Sequence, residues 1–383
     1  MSRAAFIHSD ALEAHHYPEG NPFSTDRAGM AYRMAKSMGL VSGMGRSVVA
    51  PVPATREEVE RLHTPRYLDV LAAAEKGHLD IEGLHMGLGS PECPVFLGMN
   101  QYAMTACGAT LTGARLLLDG EADIAFNPSG GYHHAGPSTA SGFCYINDVA
   151  LACLALAEAG KRVAFVDVDV HHGDGVQSFF YDRNDILTLS IHESGEFLFP
   201  GTGGTSEIGE GHGTGYSVNI PLPPDTYDDA YVRVFLEAAL PILRGFDPDV
   251  IVYEVGMDCL AGDPLAHLTL TNNAYADVTE MVLALGKPIL ATGGGGYNPE
   301  NTARGWALVW SVLCGESHHE PALGMGGVML ESSDWLGGLR DRVLVPTAQQ
   351  QEAVETAVDA VVETLRRTVL PIHGLSDGGD RHP

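Results

Sequence analysis

Asp167-Val168-Asp169-Val170-His171-His172-Gly173-Asp174-Gly175 ends an apolar run with carboxylates and imidazoles at alternate positions. The residues before it, Arg162-Val163-Ala164-Phe165-Val166, are β-branched and aromatic, which specifies a strand running on through Val168 and Val170 until Gly173 and Gly175 break it. Side chains two apart on a strand share a face, so Asp167, Asp169 and His171 line one side. Asp169 and His171 then stand roughly 7 Å apart at Cα, within reach of one metal ion through bonds of about 2 Å, and such a site wants one more protein ligand. A plain strand end with an Asx turn at Asp174-Gly175 accounts for two of these polar residues. It does not account for four beside an otherwise apolar strand.

Similar strand-like runs occur at Ala4 to Ile7, Ile124 to Phe126, Ile186 to Ile191, Val250 to Tyr253 and Pro288 to Ala291. Helical patterns separate most of them: about Arg27 to Met38, Met99 to Leu118, Asp148 to Ala159 with Asn147 or Asp148 as N-cap, Ala230 to Leu243, Ala274 to Leu285 and Thr302 to Leu313. The alternation predicts an α/β fold: a single three-layer αβα domain around a central, mostly parallel sheet. Such sheets take their ligands at the carboxyl ends of the strands, where the opening motif lies. No internal repeat and no low-complexity linker divides the chain, so residues 1–370 form the expected domain, closed by a helix from about Ala348 to Arg367. Residues 371–383 are expected to be a flexible tail.

The 383 residues carry 49 acidic against 22 basic side chains, a formal net charge of −27 with no local basic patch. That balance argues against direct binding to nucleic acid or anionic membrane; it favours solubility, or basic partners. Cys93, Cys107, Cys144, Cys153, Cys259 and Cys314 are scattered without a CxxC pair, as expected of reduced thiols in a cytoplasmic protein. The most hydrophobic long stretch, Val149 to Ala157, is too short to span a bilayer.

Three further polar clusters follow strand-like runs. In Gly130-Gly131-Tyr132-His133-His134-Ala135-Gly136-Pro137 the glycines permit turns that push both imidazoles into a cleft, where histidine serves as a general acid or base. In Gly256-Met257-Asp258, Asp258 is either the missing metal ligand or an ordinary cap or turn residue. Gly293-Gly294-Gly295-Gly296-Tyr297-Asn298 lacks the Lys-Ser/Thr and the GxGxxG spacing of a phosphate loop, and instead carries Tyr297 toward the cleft as a donor to a developing oxyanion.

With these residues in hand, the chain resembles the zinc-dependent histone deacetylase superfamily, particularly its bacterial acetoin-utilisation branch. The resemblance extends from Asn21-Pro22-Phe23 and Arg27, through Gly142-Phe143-Cys144-Tyr145-Ile146-Asn147-Asp148 and Phe199-Pro200-Gly201-Thr202-Gly203, to Asn301-Thr302-Ala303-Arg304. It implies an arginase/deacetylase-like fold and removal of acetyl groups from Nε-acetyl-lysine in a protein or peptide substrate. By the same resemblance Asp169, His171 and Asp258 bind Zn²⁺, or Fe²⁺ in the cell, since such ligands accept both. His134, backed by Asp174, moves the protons; His133, paired with Asp167, tunes the charge; Tyr297 completes oxyanion stabilisation.

The resemblance further assigns Gly142, Phe143 and Phe199 to a tunnel around the lysine stem, Leu265 to its rim, and Arg27 to an internal acetate-release cavity. It also implies a structural K⁺ held by carbonyls of Asp167, Asp169, His171 and Ile191 with side-chain oxygens of Asp167 and Ser190. One position departs from the family: Glu92 stands where an Asp commonly holds the substrate backbone. Three alternatives compete with the protein-lysine reading. An acetylpolyamine or other small acyl-amine deacetylase would place an acid where Leu265 stands. A non-catalytic acyl-lysine binding module would not need Tyr297 with every metal ligand. An arginase-like hydrolase would want a second metal with more carboxylates.

Overall fold

The computed structural model describes residues 2–316 and 338–375. Eight strands form one sheet: β1 (Ala4–Ile7), β2 (Arg46–Val49), β3 (Ile124–Asn127), β4 (Val163–Asp167), β5 (Ile186–Glu193), β6 (Ser217–Leu222), β7 (Val250–Glu254) and β8 (Ile289–Thr292). They lie in the order β2-β1-β3-β8-β7-β4-β5-β6, and every neighbouring pair is parallel. The expectation of a mostly parallel sheet therefore holds throughout.

Successive residues along each strand feed opposite apolar layers. Phe6, Phe126, Val166 and Tyr253 pack on one face, beneath helices that include Asp26–Ser37, Asn272–Leu283 and Pro299–Leu313. Ile7, Ala125, Phe165 and Val252 pack on the other, beneath Met99–Leu118 and Asp148–Glu158. Burial on both faces is why these strands are continuous apolar runs rather than alternating ones. Trp306 and Trp310, both buried, spend their indole N–H groups on loop carbonyls, of Val255 at 2.7 Å and of Leu40 at 2.9 Å.

The expected strands and long helices form with ends shifted by one to three residues, whereas β2 and β6 were missed. Both are edge strands. Half of β2 is exposed, and β6 contains Pro221, which an edge tolerates because its missing N–H has no second neighbour to serve. Of the tail expected from position 371, residues 371–375 pack on the body: a short helical turn spans Leu370–His373, and the His373 ring donates to the Gly215 carbonyl at 2.8 Å. Ser376 to Pro383 lie outside the described residues. Among the described residues no helix is long and apolar enough to cross a membrane.

The register sets up the site. Asn127, Thr292, Glu254, Asp167, Ser190 and Asn219 are direct neighbours across six adjacent strands, all at or near the carboxyl ends and all buried. A polar row of this kind through an apolar sheet must be satisfied by what the following loops supply.

Candidate active site

The loops after β3, β4, β7 and β8 deliver His133 and His134, Asp169 and His171, Asp258, and Tyr297 to one place. Strand β4 stops at Asp167, short of the expected run through Val168 and Val170, so Asp169 and His171 do not share a strand face with Asp167. Beyond it, carboxylates rather than the pleat direct the chain: Asp167 Oδ1 accepts the N–H of Asp169 at 3.0 Å, and Asp169 Oδ1 accepts that of His171 at 2.9 Å. Two such turns in succession bring Asp169 Oδ1 to 3.1 Å from His171 Nδ1. From the β7 loop, Asp258 Oδ2 reaches the same nitrogen at 3.0 Å, while its Oδ1 accepts the Val170 N–H at 2.9 Å.

The three candidate ligands are buried, and their ligand atoms lie within 4.8 Å of one another. The approach is possible only because the facing backbone is glycine: a Cβ at Gly256 would lie 1.9 Å from Asp169 Oδ2, and one at Gly295 1.9 Å from Asp258 Oδ2. Gly295 also donates its N–H to Asp169 Oδ2 at 2.6 Å.

The charges explain what this cluster can hold. Burial, reinforced by the charge of Asp169, pushes the Asp258 carboxyl up to about 7. Burial also opposes ionisation of Asp169, but His133 and then His171 outweigh it and hold that carboxyl well below the usual range. Burial disfavours a charged His171, yet its bonds to Asp169 and Asp258 raise it to about 10. Among the described residues no lysine or arginine pairs with either carboxylate; the positive charge beside them is the His171 imidazolium, whose place a metal ion can take. Two carboxylates and one imidazole at this spacing fit Zn²⁺ or Fe²⁺.

Beside the trio, His133 Nδ1 stands 3.0 Å from Asp167 Oδ2, His134 Nδ1 stands 2.7 Å from Asp174 Oδ1, and the two Nε2 atoms are 3.0 Å apart. Both expected pairings are therefore present. Burial, with the neighbouring His133, lowers His134 to about 4 and keeps it neutral, the form that accepts a proton. For His133 burial is overcome by Glu254 and Asp167, which raise it well above its ordinary value. Tyr297 is raised by burial and by Asp258, so its phenol stays a donor. Its backbone N–H is fixed on Asp263 Oδ2 at 2.7 Å.

Several residues of this machinery escaped sequence reasoning. Glu254 is fully buried with one oxygen 3.1 Å from His133 Nδ1, yet neither oxygen has a hydrogen-bond partner. An acid ending the apolar run Val250 to Tyr253 was the available signal. Asp148 accepts from the N–H groups of Gly131 at 3.1 Å and Tyr132 at 2.8 Å and from the Thr110 hydroxyl. Asn147 caps its helix through Ala150 and donates to the carbonyls of His133 and Ala135, while its own N–H goes to His63 Nε2 at 3.0 Å. These groups fold the turn that carries the two histidines.

A cavity of about 300 Å³ leads from the surface to this cluster, lined by Glu92, Gly142, Phe143, Phe199, Leu265 and Tyr297 with His134 and His171 at its floor. The Phe143 ring lies 5.5 Å from that of Tyr297, and the Phe199 ring 5.0 Å from that of His134. Phe143 adopts φ 66°, a strained conformation for a bulky residue, and its carbonyl is held by the buried Tyr17 hydroxyl at 2.7 Å. At the exposed rim, Glu92 Oε2 accepts the Gly142 N–H at 3.3 Å. Arg27 is buried behind the cluster, donating to the carbonyls of Gly296 at 2.6 Å and Gly294 at 3.1 Å and lining a small internal cavity with Tyr102 and Tyr132. Asp167 and Ser190 are cross-strand neighbours, and Ser190 Oγ is 2.9 Å from His192 Nδ1.

A parallel α/β sheet with a candidate Asp–His–Asp metal trio, two His–Asp pairs and a tyrosine at the end of an aromatic tunnel is the arrangement of a hydrolase site. Comparison with known proteins narrows the class. Residues 21–313 match the histone deacetylase domain, and the chain belongs to that family. It is 39% identical over 323 residues to the acetoin utilization protein AcuC of Bacillus subtilis, a match covering 82% of this chain and 83% of that protein. It is 36% identical over 314 residues to the histone deacetylase RPD3 of Saccharomyces cerevisiae, covering 81% and 72%. The crystal structure of an HDAC homolog from Aquifex aeolicus superposes with a TM-score of 0.82 at 32% identity, covering 93% of this chain and 100% of that one. An HDAC homolog complexed with SAHA superposes with a TM-score of 0.83, also at 32% identity, covering 94% and 100%. The expected arginase/deacetylase-like fold and family are thereby established, and with them deacetylase-type hydrolysis as the general activity.

Proposed function

We propose that this chain removes the acetyl group from Nε-acetyl-lysine in proteins, in the cytoplasm, as a Zn²⁺ enzyme that also accepts Fe²⁺. The observation that carries the reading is the aromatic tunnel of Phe143 and Phe199, which ends on Asp169, His171 and Asp258 beside His134 and Tyr297. An apolar slot suits the four methylenes of lysine, and the uncharged Leu265 at its rim speaks against a polyamine, whose second cation would want a carboxylate.

Asp169, His171 and Asp258 would hold the ion, which supplies Lewis acidity toward water and the amide carbonyl. His134 accepts a proton from the attacking water and delivers it to the leaving lysine nitrogen as the C–N bond breaks, so acetate and free amine result. Asp174 fixes the His134 ring for both transfers, and His133 on Asp167 adds positive charge next to it. Tyr297 donates its hydroxyl to the oxyanion that develops on the acetyl carbonyl.

Glu92 serves as the rim acceptor for substrate backbone N–H groups in place of the family's usual Asp. Arg27 serves the exit of acetate. Asp167 and Ser190, with carbonyls of Asp169, His171 and Ile191, hold a structural K⁺. Residues 1–370 act as one catalytic domain, and the net charge of −27 keeps nucleic acid and membrane from being direct partners.

The test is acetate release from an acetyl-lysine peptide and from an acetylated polyamine at equal concentration, before and after metal removal. Peptide turnover that vanishes on chelation and returns with Zn²⁺ or Fe²⁺ is expected. A strong preference for polyamine, or undiminished turnover of the metal-free protein, would overturn the reading.

A further inference from the structure

The exit of β1 carries a second set of donors that the catalytic site does not use. His8 follows Ile7 at the strand end; its side chain is 4% exposed, and neither ring nitrogen has a hydrogen-bond partner among the described residues. Its Nε2 faces Glu13 Oε1 at 3.5 Å and Asp10 Oδ1 at 3.7 Å, and the three atoms lie within 4.8 Å of one another. These distances are too long for hydrogen bonds. They are the separations kept by ligands of a shared ion, because donors about 2.1 Å from a tetrahedral centre stand about 3.4 Å apart.

The surroundings hold His8 and Glu13 in place, while Asp10 is exposed. Asp10 opens the short turn Asp10–Leu12 and Glu13 follows its end, with the Ala11 N–H capped by the Ser9 hydroxyl. Arg33 takes the other Glu13 oxygen at 2.7 Å, leaving Oε1 turned toward His8, the outer support that orients a metal-binding carboxylate. Glu13 lies against Gly29 of the helix Asp26–Ser37, where a Cβ would come within 1.9 Å of its carboxyl carbon; any other residue would push it off. The Tyr32 ring stacks on His8 at 4.2 Å and 25°, holding the imidazole plane.

We propose that His8, Asp10 and Glu13 form a second divalent-metal site, separate from the catalytic trio, with Asp10 on its open, solvent-facing side. One imidazole with two carboxylates selects a borderline ion such as Zn²⁺ over Mg²⁺ or Ca²⁺. A bound ion would satisfy the orphaned His8 nitrogen and tie the turn after β1 to the helix that carries Gly29, Tyr32 and Arg33.

The experiment titrates ZnCl₂ into the holoenzyme, whose catalytic site is already filled, by calorimetry and elemental analysis after gel filtration. One further equivalent is expected in the wild type. It should be retained in Asp258→Asn, which loses only the catalytic equivalent, and be lost or weakened at least about tenfold in His8→Phe, Glu13→Gln and Asp10→Asn. If His8→Phe folds poorly, the exposed Asp10 and the partly buried Glu13 decide the matter alone. The proposal falls if the wild type takes up no zinc beyond the catalytic equivalent, or if Glu13→Gln and Asp10→Asn bind the additional equivalent with wild-type affinity.

Discussion

Adding one methyl group at Gly256 probes the close backbone approach on which the Asp–His–Asp trio depends. A Cβ at this position would lie 1.9 Å from Asp169 Oδ2 and 2.5 Å from its Cγ, so the carboxylate must retreat by about 1.5 Å to reach ordinary contact. That retreat breaks the 2.6 Å bond from Gly295 and the 3.1 Å approach to His171. Ligand distances at a zinc site tolerate about 0.2 Å, so Asp169 ceases to be a ligand in Gly256→Ala. Loss of an outer support alone costs about 10- to 100-fold in metal affinity. Displacing a ligand belongs at or beyond the upper end, about 3 kcal/mol or more. Gly256 does not use a positive φ, so the substitution adds no backbone strain; overpacking sets the stability cost, about 1–3 kcal/mol. Competition against a zinc chelator measures the affinity, and kcat/KM followed against free zinc should recover part of the activity at high metal. A folded Gly256→Ala protein binding zinc within about twofold of wild type would refute the assignment of Asp169 as a ligand held by this contact.

Tyr297→Phe should lower kcat by about 10²- to 10³-fold with metal content unchanged, as for loss of a single oxyanion donor; unchanged turnover would remove the phenol from the chemical step. Gly142→Ala places a methyl 2.4 Å from the His134 ring at a residue with φ 50°, so kcat/KM for peptide should fall at least about tenfold while zinc affinity, measured by the same competition, holds. Asp148→Asn leaves the Gly131 and Tyr132 N–H groups facing an amide that can satisfy them only in part, and denaturant melts should show a loss of about 3 kcal/mol; a loss under 1 kcal/mol would mean the network is dispensable. Burial lowers His63 from its ordinary 6.5 to about 4, so the unfolded chain takes up this proton first. The stability it contributes is full above about pH 6.5 and declines by up to about 3 kcal/mol as pH falls toward 4. His63→Gln, which keeps an acceptor for the Asn147 N–H, should therefore gain on the wild type over that pH interval, and parallel pH profiles would exclude the effect.

The residues that sequence reasoning found are those whose side chains interrupt an apolar pattern after a strand. Asp169, His171, Asp258 and the His133-His134 pair each stand out in this way, and the parallel topology then brings four such strand ends together without further information. Residues doing comparable work within an element give a weaker signal or none. Asp148 reads as a helix cap, Glu254 as the last residue of a strand, and His63 as an isolated polar position. Their roles exist only in the three-dimensional register, where Glu254 lies between Asp167 and Thr292 and Asp148 lies under the turn of Gly131 and Tyr132. The edge strands were hidden for a related reason, since β2 and β6 need to satisfy only one neighbour and their sequences are correspondingly mixed.

The placement of charge in the polar row has its own consequence for the chemistry. Asp167 faces His133 while its other oxygen directs Asp169, so one buried carboxylate links the proton-handling pair to the candidate metal ligands. A substitution at Asp167 would disturb both at once, whereas Asp174 touches only the His134 side. The strand end that supplies the candidate ligands thus also sets the charge beside His134, and both sides share Asp167 because the loop between them spans only the turn from Asp167 to His171.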